Sequence, residues 1–455
     1  MAVPALLEVA QRALESVPPG VDGAQATASA ERSLTLRFAR SRPTQATSID
    51  DVSVLVTVVR DGHVAAAGTN RSEPDALAAC AAAACAAAEA AARMAGSGAY
   101  PGLPDPAALR GHGGHDPATA RLDPSTGGAA MAVAFEEVGA VGAEAHGSWS
   151  QGEVETAVAS SAGLAVLDRV TDAALRVSAL EPGGRSGMAT AAAFAAGGID
   201  ARAVARRAAA KVADLAEPAR LEPGEYPVVL EAPAVAEVVD WVGRLAFDGL
   251  AYAEGRSAVS DRLGRRVAAP SINLSDSPRF RGTLPRAFDA EGVPKNPLPL
   301  IQDGVAHRVV HDTRSAALAG ASTTGHALVP GGSGSGAVPT NLVLVGGGAA
   351  DEAELCRPIE RGVYVTRFWY TNPVRPREGI VTGTTRDGTF LIEDGQVTRP
   401  LEDLRLTDSV LGVLERTQAM TSRLELVTEV RHYGRRFATG VVCPALRASS
   451  LRFTG

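Results

Sequence analysis

The order of hydrophobic and polar residues in the first half of the chain predicts both helices and strands. Apolar residues at helical spacing predict an amphipathic helix over residues 3–16 and an alanine-rich helix over Pro74–Met94, and they favour further helices over 151–168 and 201–215. Apolar runs bounded by turn signals predict strands over Leu34–Arg40, Val52–Arg60, His63–Ala67 and Val170–Leu180. The Pro-, Gly- and His-rich segment Gly96–Gly114 is predicted to be a loop. The first half is therefore expected to form a mixed α/β domain.

A polar stretch with Pro and Gly over Glu217–Glu225 indicates a domain boundary, which divides the chain into residues 1–222 and 223–455. A strand over Tyr226–Leu230 and a helix over Ala234–Leu250 are predicted to open the second part. Short strands are predicted to follow at Ser271–Leu274, Leu300–Asp303, Leu342–Val345, Val363–Phe368, Gly379–Thr385, Thr389–Ile392 and Gln396–Pro400. Glycines favour hairpin turns at residues 386–388 (RDG) and 393–395 (EDG). The predicted fold class is α+β, with a β-rich C-terminal domain after the α/β domain.

Composition and charge narrow the classes of function. The chain is 45% apolar and 21% charged, as in ordinary globular proteins, and its net charge of −7 gives no overall field that attracts nucleic acid or an anionic membrane. No apolar run is expected to approach the ~20 residues of a membrane span. The first residues lack the pattern of a signal peptide, so a cytoplasmic location is predicted. Of 44 basic residues only Lys211 and Lys295 are lysine, which indicates the codon usage of a GC-rich genome.

The eight histidines offer two candidate metal sites, and each has a structural explanation that is favoured. His307 and His311 are four residues apart, as on zinc-binding helices, but the residues between them have strand composition and supply no acidic base. Along a strand the two would lie about 13 Å apart, so a strand with surface or paired histidines is favoured. His112 and His115, with Asp116 as a third candidate ligand, lie in a glycine-rich segment that is favoured to be a solvated loop.

Other candidate segments lack the full pattern of a functional site. The glycine tracts at 331–336 and 346–348 could cradle phosphate, but without the Lys-Ser/Thr of a P-loop a linker or tight backbone passage is favoured. The four cysteines have no C-x-x-C spacing, which argues against a disulfide framework or zinc ribbon: Cys80, Cys85, Cys356 and Cys443. Cys80 and Cys85 are expected to be buried in a core helix. The aromatic run Phe368–Tyr370 fits either core filling or a surface for a substrate or partner.

Several short motifs together resemble the TldD/PmbA (TldD/TldE) family. Residues 288–294 (FDAEGVP) followed by 300–305 (LIQDGV) are similar to the D-x-E-G-x-P and LI-x-x-G signature of that family. Residues 322–326 (STTGH) and 381–395 (VTGTTRDGTFLIEDG) resemble further family segments, and 451–455 resembles its closing strand. The N-terminal order of helix, strand pair and long helix is compatible with the family. The resemblance covers essentially the whole chain and implies a C-terminal domain of the TldD/PmbA type.

The resemblance also implies which branch of the family is present. TldD-type members are zinc metallopeptidases with H-E-x-x-x-H on the helix after a Pro-Val-Val-Leu strand, whereas TldE/PmbA-type members lack the motif and pair with a TldD-type subunit. Here that strand is Pro227–Leu230, and the motif position falls at 241–246 (WVGRLA), where Trp241, Val242 and Ala246 replace the two His and the Glu. Cys443, expected in the last strand, comes too late to match the distal Cys ligand. Without these donors zinc is not held, so the TldE/PmbA branch is implied.

The leading hypothesis is therefore a non-catalytic subunit of a zinc metallopeptidase complex that acts on peptides or small amide conjugates. It implies no metal in this chain, zinc in a TldD-type partner subunit, and no nucleic acid or membrane partner. One alternative is a subunit of an amidase or N-deacetylase that tailors a secondary metabolite. Another alternative, from a different class, is a homo-oligomeric peptide-binding regulatory protein without catalysis.

The candidate site residues lie on the helix after Pro227–Leu230 and near the predicted strand turns of the second domain, where Arg and Tyr favour binding surfaces. The helix face that carries Trp241, Arg244 and Leu245 is expected to fill the space where metal would lie. Residues expected to line a substrate cavity are Trp241, Arg244, Tyr370, Asn372 and Arg386.

Overall fold

A computed structural model describes residues 5–95, 98–213, 217–332, 334, 336–428 and 434–455. The helices are α1 (Leu6–Glu15), α2 (Pro74–Ala95), α3 (Pro117–Ala120), α4 (Pro124–Gly139), α5 (Ala201–Ala210), α6 (Ala232–Ala246), α7 (Gly249–Ala253), α8 (Thr313–Ala319), α9 (Glu352–Cys356) and α10 (Val410–Glu415). The strands of the first half are β1 (Gly23–Ala39), β2 (Arg42–Arg60), β3 (His63–Thr69), β4 (Glu144–Ser160), β5 (Ala165–Leu180) and β6 (Ser186–Ala193). Those of the second half are β7 (Gly224–Leu230), β8 (Leu274–Asp276), β9 (Leu298–Gln302), β10 (Val305–Ala306), β11 (Asn341–Leu344), β12 (Arg361–Arg375), β13 (Ile380–Glu393), β14 (Gln396–Pro400), β15 (Arg405–Ser409), β16 (Thr417–Met420), β17 (Glu425–Val427), β18 (Gly440–Cys443) and β19 (Leu446–Phe453).

The first half forms a six-stranded antiparallel sheet in the order β3-β2-β1-β4-β5-β6. Because side chains alternate along a strand, the apolar even-numbered residues of β1, from Ala24 to Phe38, lie on one face and pack under the helices. Odd-numbered residues such as Thr27 and Ser29 lie on the other face, which is turned toward the second half of the chain. The sheet thus has a helix-covered face and a face that meets the C-terminal half.

The second half is built from two sheets around helix α6. One sheet has the order β10-β9-β8-β11-β18-β17, and the other has the path β12-β7-β19-β15-β13-β14. Pairing of β12 with β13 joins the second sheet to itself, so β12, β7, β19, β15 and β13 form a closed ring. Helix α6 follows the central strand β7 directly and packs between the sheets, with most of its apolar side chains in the largest core cluster. The α+β fold class is confirmed. The division at residue 222 stays a prediction.

The predicted helix over 151–168 is wrong, because these residues belong to strands β4 and β5 and the turn between them. Val154, Thr156 and Val158 lie on one face at strand spacing, and β4 is paired along its whole length with β1 and β5. Two long antiparallel neighbours therefore decide the conformation of a segment whose local pattern also fits a helix.

The predicted hairpin turn at residues 386–388 is also wrong, whereas that at residues 393–395 joins β13 to β14. Asp387 and Gly388 do have positive φ angles, of 56° and 124°. Both residues face the single residue Thr366 of β12, so they form a bulge inside β13 and the strand continues. The glycine at this position therefore correctly predicts a positive φ angle, but the chain does not reverse its direction here.

The predicted helix over Ala234–Leu250 is interrupted. Helix α6 ends at Ala246, and Asp248 begins α7 by accepting hydrogen bonds from the backbone N–H groups of Leu250 (2.8 Å) and Ala251 (3.1 Å). The predicted helix over 201–215 is present as α5, which ends at Ala210. Residues 214 and 215 of the predicted range lie outside the described residues.

Helix α2 differs from the expectation that no apolar run approaches the length of a membrane span. Residues Pro74–Met94 are long and apolar enough, by length and composition alone, to cross a membrane, with a mean hydropathy of 1.4. In the described structure one side of this helix, including Leu77, Cys80 and Ala84, is buried against β2 and β3. Cys85 is half-buried at the edge of the same contact. This alanine-rich helix therefore contributes one side to the core, and most of its residues are not buried.

Glycines of the tract at 331–336 pass close to other parts of the chain, as expected. A Cβ atom on Gly331 would lie 2.3 Å from Val64 Cγ1, and one on Gly336 would lie 2.1 Å from Asp248 Oδ1. Both glycines have a φ angle of +81°, which side chains disfavour. Residues 333 and 335 of this tract lie outside the described residues.

Candidate functional site

Helix α6 carries the residues at the expected metal-motif position. Val242 and Ala246 are fully buried in the main core. Arg244 is exposed and forms a 2.6 Å ion pair with Asp240 one turn earlier, while Leu245 packs half-buried on the core. Trp241 is also half-buried, and its indole Nε1 donates a 2.8 Å hydrogen bond to Thr371 Oγ1 on β12. The helix therefore presents apolar packing and one surface ion pair at this position.

These residues do not fit a zinc ion. Neither the indole of Trp241, whose Nε1 donates to Thr371, nor the methyl group of Ala246 supplies a lone pair that could bind zinc. Cys443 lies in the penultimate strand β18 instead of the expected last strand, and its Sγ donates to Ala232 O at 3.3 Å. Burial holds the pKa of Cys443 well above its ordinary value, which opposes the thiolate that a metal requires. Over the described ranges, no group of three His, Cys, Asp or Glu side chains is arranged to hold a metal.

The other predicted cavity residues lie on one exposed surface of strands β12 and β13. Tyr370 is 81% exposed with a φ angle of +54°, and Trp369 is 44% exposed. Arg386 lies 5.3 Å from the Trp369 ring centre, and Asn372 donates to the carbonyl of Tyr370. None of these residues lines the cavities of about 380 Å³ and about 270 Å³. The aromatic run is split, because Phe368 is buried in the core. That this surface contacts substrate stays a prediction.

A cavity of about 380 Å³ lies between the N-terminal sheet and the C-terminal half. Its N-terminal wall comes from the helix-free face of β1, β4 and β5. Its C-terminal wall comes from residues 286–290, Lys295, 325–328 and 435–437, which include part of the FDAEGVP motif. Arg436 joins the two walls through a bidentate ion pair with Asp172, in which both N–O distances are 2.7 Å. A volume of this size falls within the range of about 300–1,000 Å³ for small-molecule sites.

Three buried ionisable side chains lie together at the C-terminal wall, and two of them, Lys295 and His326, line the cavity. Lys295 Nζ is 3.2 Å and His326 Nε2 is 3.3 Å from Asp276 Oδ1, and Lys295 and Asp276 have almost no exposed side-chain surface. The other oxygen, Asp276 Oδ2, accepts hydrogen bonds from the backbone N–H groups of Thr340 (2.7 Å) and Asn341 (2.8 Å). Burial alone would raise the pKa of Asp276, but Lys295 and His326 hold it well below its ordinary value. The cluster therefore stays charged and joins β8, β11 and two loops.

The acidic residues of the FDAEGVP motif shape a turn. Asp289 accepts hydrogen bonds from the backbone N–H groups of Glu291, Val293 and Ala327. Burial, followed by the nearby Glu291 charge, raises the pKa of Asp289 to about 7 in spite of these donors. Glu291 accepts from the hydroxyl group of Tyr100 (3.1 Å) and from Thr313 (2.6 Å), so it joins the first half of the chain to α8. Both carboxylates are thus occupied by protein donors.

The histidine segments differ from their predicted environments. His112 Nε2 lies 2.8 Å from Asp168 Oδ1 and His115 Nε2 lies 2.7 Å from Glu153 Oε1, so this loop is fixed on β4 and β5 rather than solvated. Asp116 caps α3 instead of joining them. His307 is exposed after β10, whereas His311 is buried beside Asp312, the N-cap residue of α8, so the strand predicted for them is wrong.

Sequence reasoning assigned no role to Arg286, Lys295 or His326, although all three line the cavity. Lysine scarcity was an available signal, because both lysines of this arginine-rich chain form buried or nearly buried ion pairs. Lys211 pairs with Glu231 at 2.8 Å, as Lys295 does with Asp276. A compact ammonium group therefore occupies the two positions where a guanidinium would need more room.

The fold and its interdomain cavity define an α+β protein with a helix-backed antiparallel sheet and a ring-closed C-terminal sheet. Residues 223–455 match the model described as PmbA/TldA metallopeptidase C-terminal domain, and residues 25–88 match PmbA/TldA metallopeptidase domain 1. The chain therefore belongs to the PmbA/TldD family.

Individual relatives and a solved structure agree with this assignment. The chain is 27% identical over 276 residues to the Metalloprotease TldD homolog of Haemophilus influenzae, which covers 56% of this chain and 52% of that protein. It is 25% identical over 225 residues to the Metalloprotease PmbA homolog of the same organism, which covers 49% of this chain and 47% of that protein. The matched part thus spans about half the length of these relatives. The crystal structure of TldE from Thermococcus kodakarensis has the same fold, with a TM-score of 0.84 at 18% identity over 99% of this chain and 100% of that one.

Proposed function

We propose that this chain is a non-catalytic, TldE/PmbA-like subunit of a cytoplasmic TldD/TldE-type metallopeptidase complex. The observation that carries the proposal is the packing of α6, where Val242 and Ala246, at the positions at which the resemblance expects the zinc motif, are fully buried. Apolar side chains supply neither a ligand nor a general base, so hydrolysis requires a second subunit that carries the zinc. Peptides or small amide conjugates are the proposed substrates of the complex.

We place the partner contact on the exposed surface of β12 and β13. Trp369, Tyr370 and Val374 are exposed apolar residues close together in a chain with only 4% aromatic residues. Thr371, in the same segment, donates a hydrogen bond to Glu237 and accepts one from Trp241, so α6 supports the surface. Because Trp and Tyr are enriched among interface hot spots, this surface fits the TldD-type subunit.

Co-purification tests the proposal. Affinity-tagged chain, co-expressed with a TldD-type homologue that carries H-E-x-x-x-H, is expected to retain that homologue and to elute with it in gel filtration. Tyr370→Ala is expected to weaken the association about 10- to 30-fold, because hot-spot truncation costs on the order of 1–2 kcal/mol or more. Leu318→Ala, at an exposed apolar residue of α8, is the matched control and should leave the association unchanged. A stable homodimer that ignores the homologue would contradict the proposal and favour the homo-oligomeric alternative.

A further inference from the structure

The interdomain cavity has an uneven distribution of charge. Four basic side chains line it: Arg286, Lys295, Arg435 and Arg436. Three of them have a carboxylate partner, because Lys295 pairs with Asp276 (3.2 Å), Arg435 with Asp51 (2.8 Å) and Arg436 with Asp172 (2.7 Å). Arg286 differs from them, since no carboxylate oxygen of the described residues lies within 4 Å of its nitrogens. Its guanidinium donates one long hydrogen bond, of 3.4 Å, to the Ala438 carbonyl and lies 3.8 Å from the ring centre of Phe437.

The two carboxylates that line the cavity are held by other groups. Asp168 contacts His112 with one oxygen and accepts a 2.9 Å hydrogen bond from the backbone N–H of Ala287 with the other. Asp289 accepts the three backbone N–H groups of its turn. Burial lowers the pKa of Arg286, although Asp168 and Asp289 act in the opposite direction through space. The Arg286 charge is therefore only partly compensated in a site with restricted access to water.

The rest of the cavity is suited to an apolar ligand body with a few polar contacts. Val154, Val158 and Val170 of the N-terminal sheet line the cavity together with Phe288 and Leu328. Hydroxyl groups of Thr27, Ser29 and Thr156 lie among these apolar residues. A cavity with apolar walls, a few polar groups and one available guanidinium is the composition of a site for a small organic acid. A dianion such as phosphate would need a second available cation, and the other three are already paired.

We propose that this cavity binds a carboxylic acid with a branched apolar body, and that its carboxylate pairs with Arg286. Guanidinium and carboxylate groups match in a bidentate geometry, which gives both orientation and discrimination against neutral analogues. The carboxylate can be the C-terminus of a short peptide or belong to a free small acid. The proposal depends on the cavity alone, so it holds with or without a partner subunit.

Calorimetric titration of the full chain tests the proposal with two pairs of probes. N-acetyl-dileucine and its C-terminal amide represent a peptide terminus, and 4-methylpentanoate and its amide represent a free acid. At least one acid is expected to bind about 10- to 100-fold more tightly than its amide, as one charge-assisted pair provides. The acid that gives the larger ratio identifies the source. Equal binding of acid and amide in both pairs, or no binding of either acid, would overturn the proposal.

Substitutions of Arg286 test whether this side chain causes the ratio between acid and amide affinities. Arg286→Gln is expected to bring the acid-to-amide ratio close to one, and Arg286→Lys is expected to retain an intermediate ratio. Arg220→Gln, at an exposed arginine paired with Glu402, is the matched control and should retain the full ratio. An unchanged ratio in Arg286→Gln would overturn the assignment. The ratio in the unmodified chain requires no variant, so the proposal remains testable if Arg286→Gln does not fold.

Discussion

Lys295→Met is expected to destabilise the C-terminal half by about 3–5 kcal/mol, the usual cost of leaving a buried charge without its partner. Met keeps the length and apolar stem of the side chain, so the change removes mainly the ammonium charge. Asp276 then retains two backbone N–H donors and His326, but its strongest opposite charge is gone. The negative charge of Asp276 can then be balanced by protonation of His326 or removed by protonation of Asp276 itself. Either protonation costs free energy near neutral pH.

The pH dependence gives this prediction a definite sign. In the unmodified chain the pKa of Asp276 is below its unfolded value near 3.9, so its contribution is present above that pH and is lost as the pH falls. In Lys295→Met, burial raises the pKa of Asp276, and the carboxyl group takes up a proton at higher pH. The destabilisation should therefore be largest at pH 7–8 and smaller at pH 5.

Hydrogen exchange measures the effect locally. The amides of Thr340 and Asn341 donate to Asp276, and their protection should fall in Lys295→Met together with the urea midpoint. Arg71→Met removes an ion pair of 3.3 Å between exposed side chains and should change stability by less than about 1 kcal/mol. Equal effects of the two substitutions would contradict the account of this cluster.

Val242→Glu is expected to destabilise the protein by more than about 4 kcal/mol or to prevent folding. The substitution places an acidic residue where the resemblance expects the Glu of the family motif, at a position that is fully buried among apolar side chains. An ionised carboxylate there would lack hydrogen-bond donors, and a neutral one would still be too large for the site. The substitution should therefore damage the core instead of creating a general base.

Thermal unfolding and a zinc titration together check this prediction. Arg244→Gln, two residues later on the exposed side of the same helix, removes a surface ion pair with Asp240 and should cost less than about 1 kcal/mol. A Val242→Glu protein as stable as Arg244→Gln would show that α6 is not a core helix. Tight zinc binding by the Val242→Glu protein would contradict the proposed packing at the motif position.

The extent to which the sequence predicts this structure depends on the range of the interactions. Helix α2 and hairpin β13–β14 have strong local signals, and both are found near their predicted positions. The local pattern of strand β4 also fits a helix, and its conformation depends on pairing with β1 and β5, whose residues are distant in the chain or follow a turn. The local pattern at Asp387 and Gly388 likewise fits a turn, and only the pairing with β12 distinguishes the bulge from a turn.

The same distinction between local and long-range interactions applies to the candidate site. The apolar character of the motif position is visible in Val242 and Ala246 alone, because a metal motif is a local pattern. The charged cluster is not local, since Lys295 and His326 approach Asp276 from loops 19 and 50 residues away. The available charge of Arg286 depends on the partners of three other cations, which only the folded structure assigns.

The zinc content of the purified proteins tests the central claim most directly. After expression with added zinc and dialysis, the chain alone is expected to hold far less than one equivalent of metal and to hydrolyse no peptide. The co-purified complex with a TldD-type homologue is expected to hold about one equivalent per pair and to be active. One tightly bound zinc per chain in the isolated protein, with peptide hydrolysis, would contradict the account.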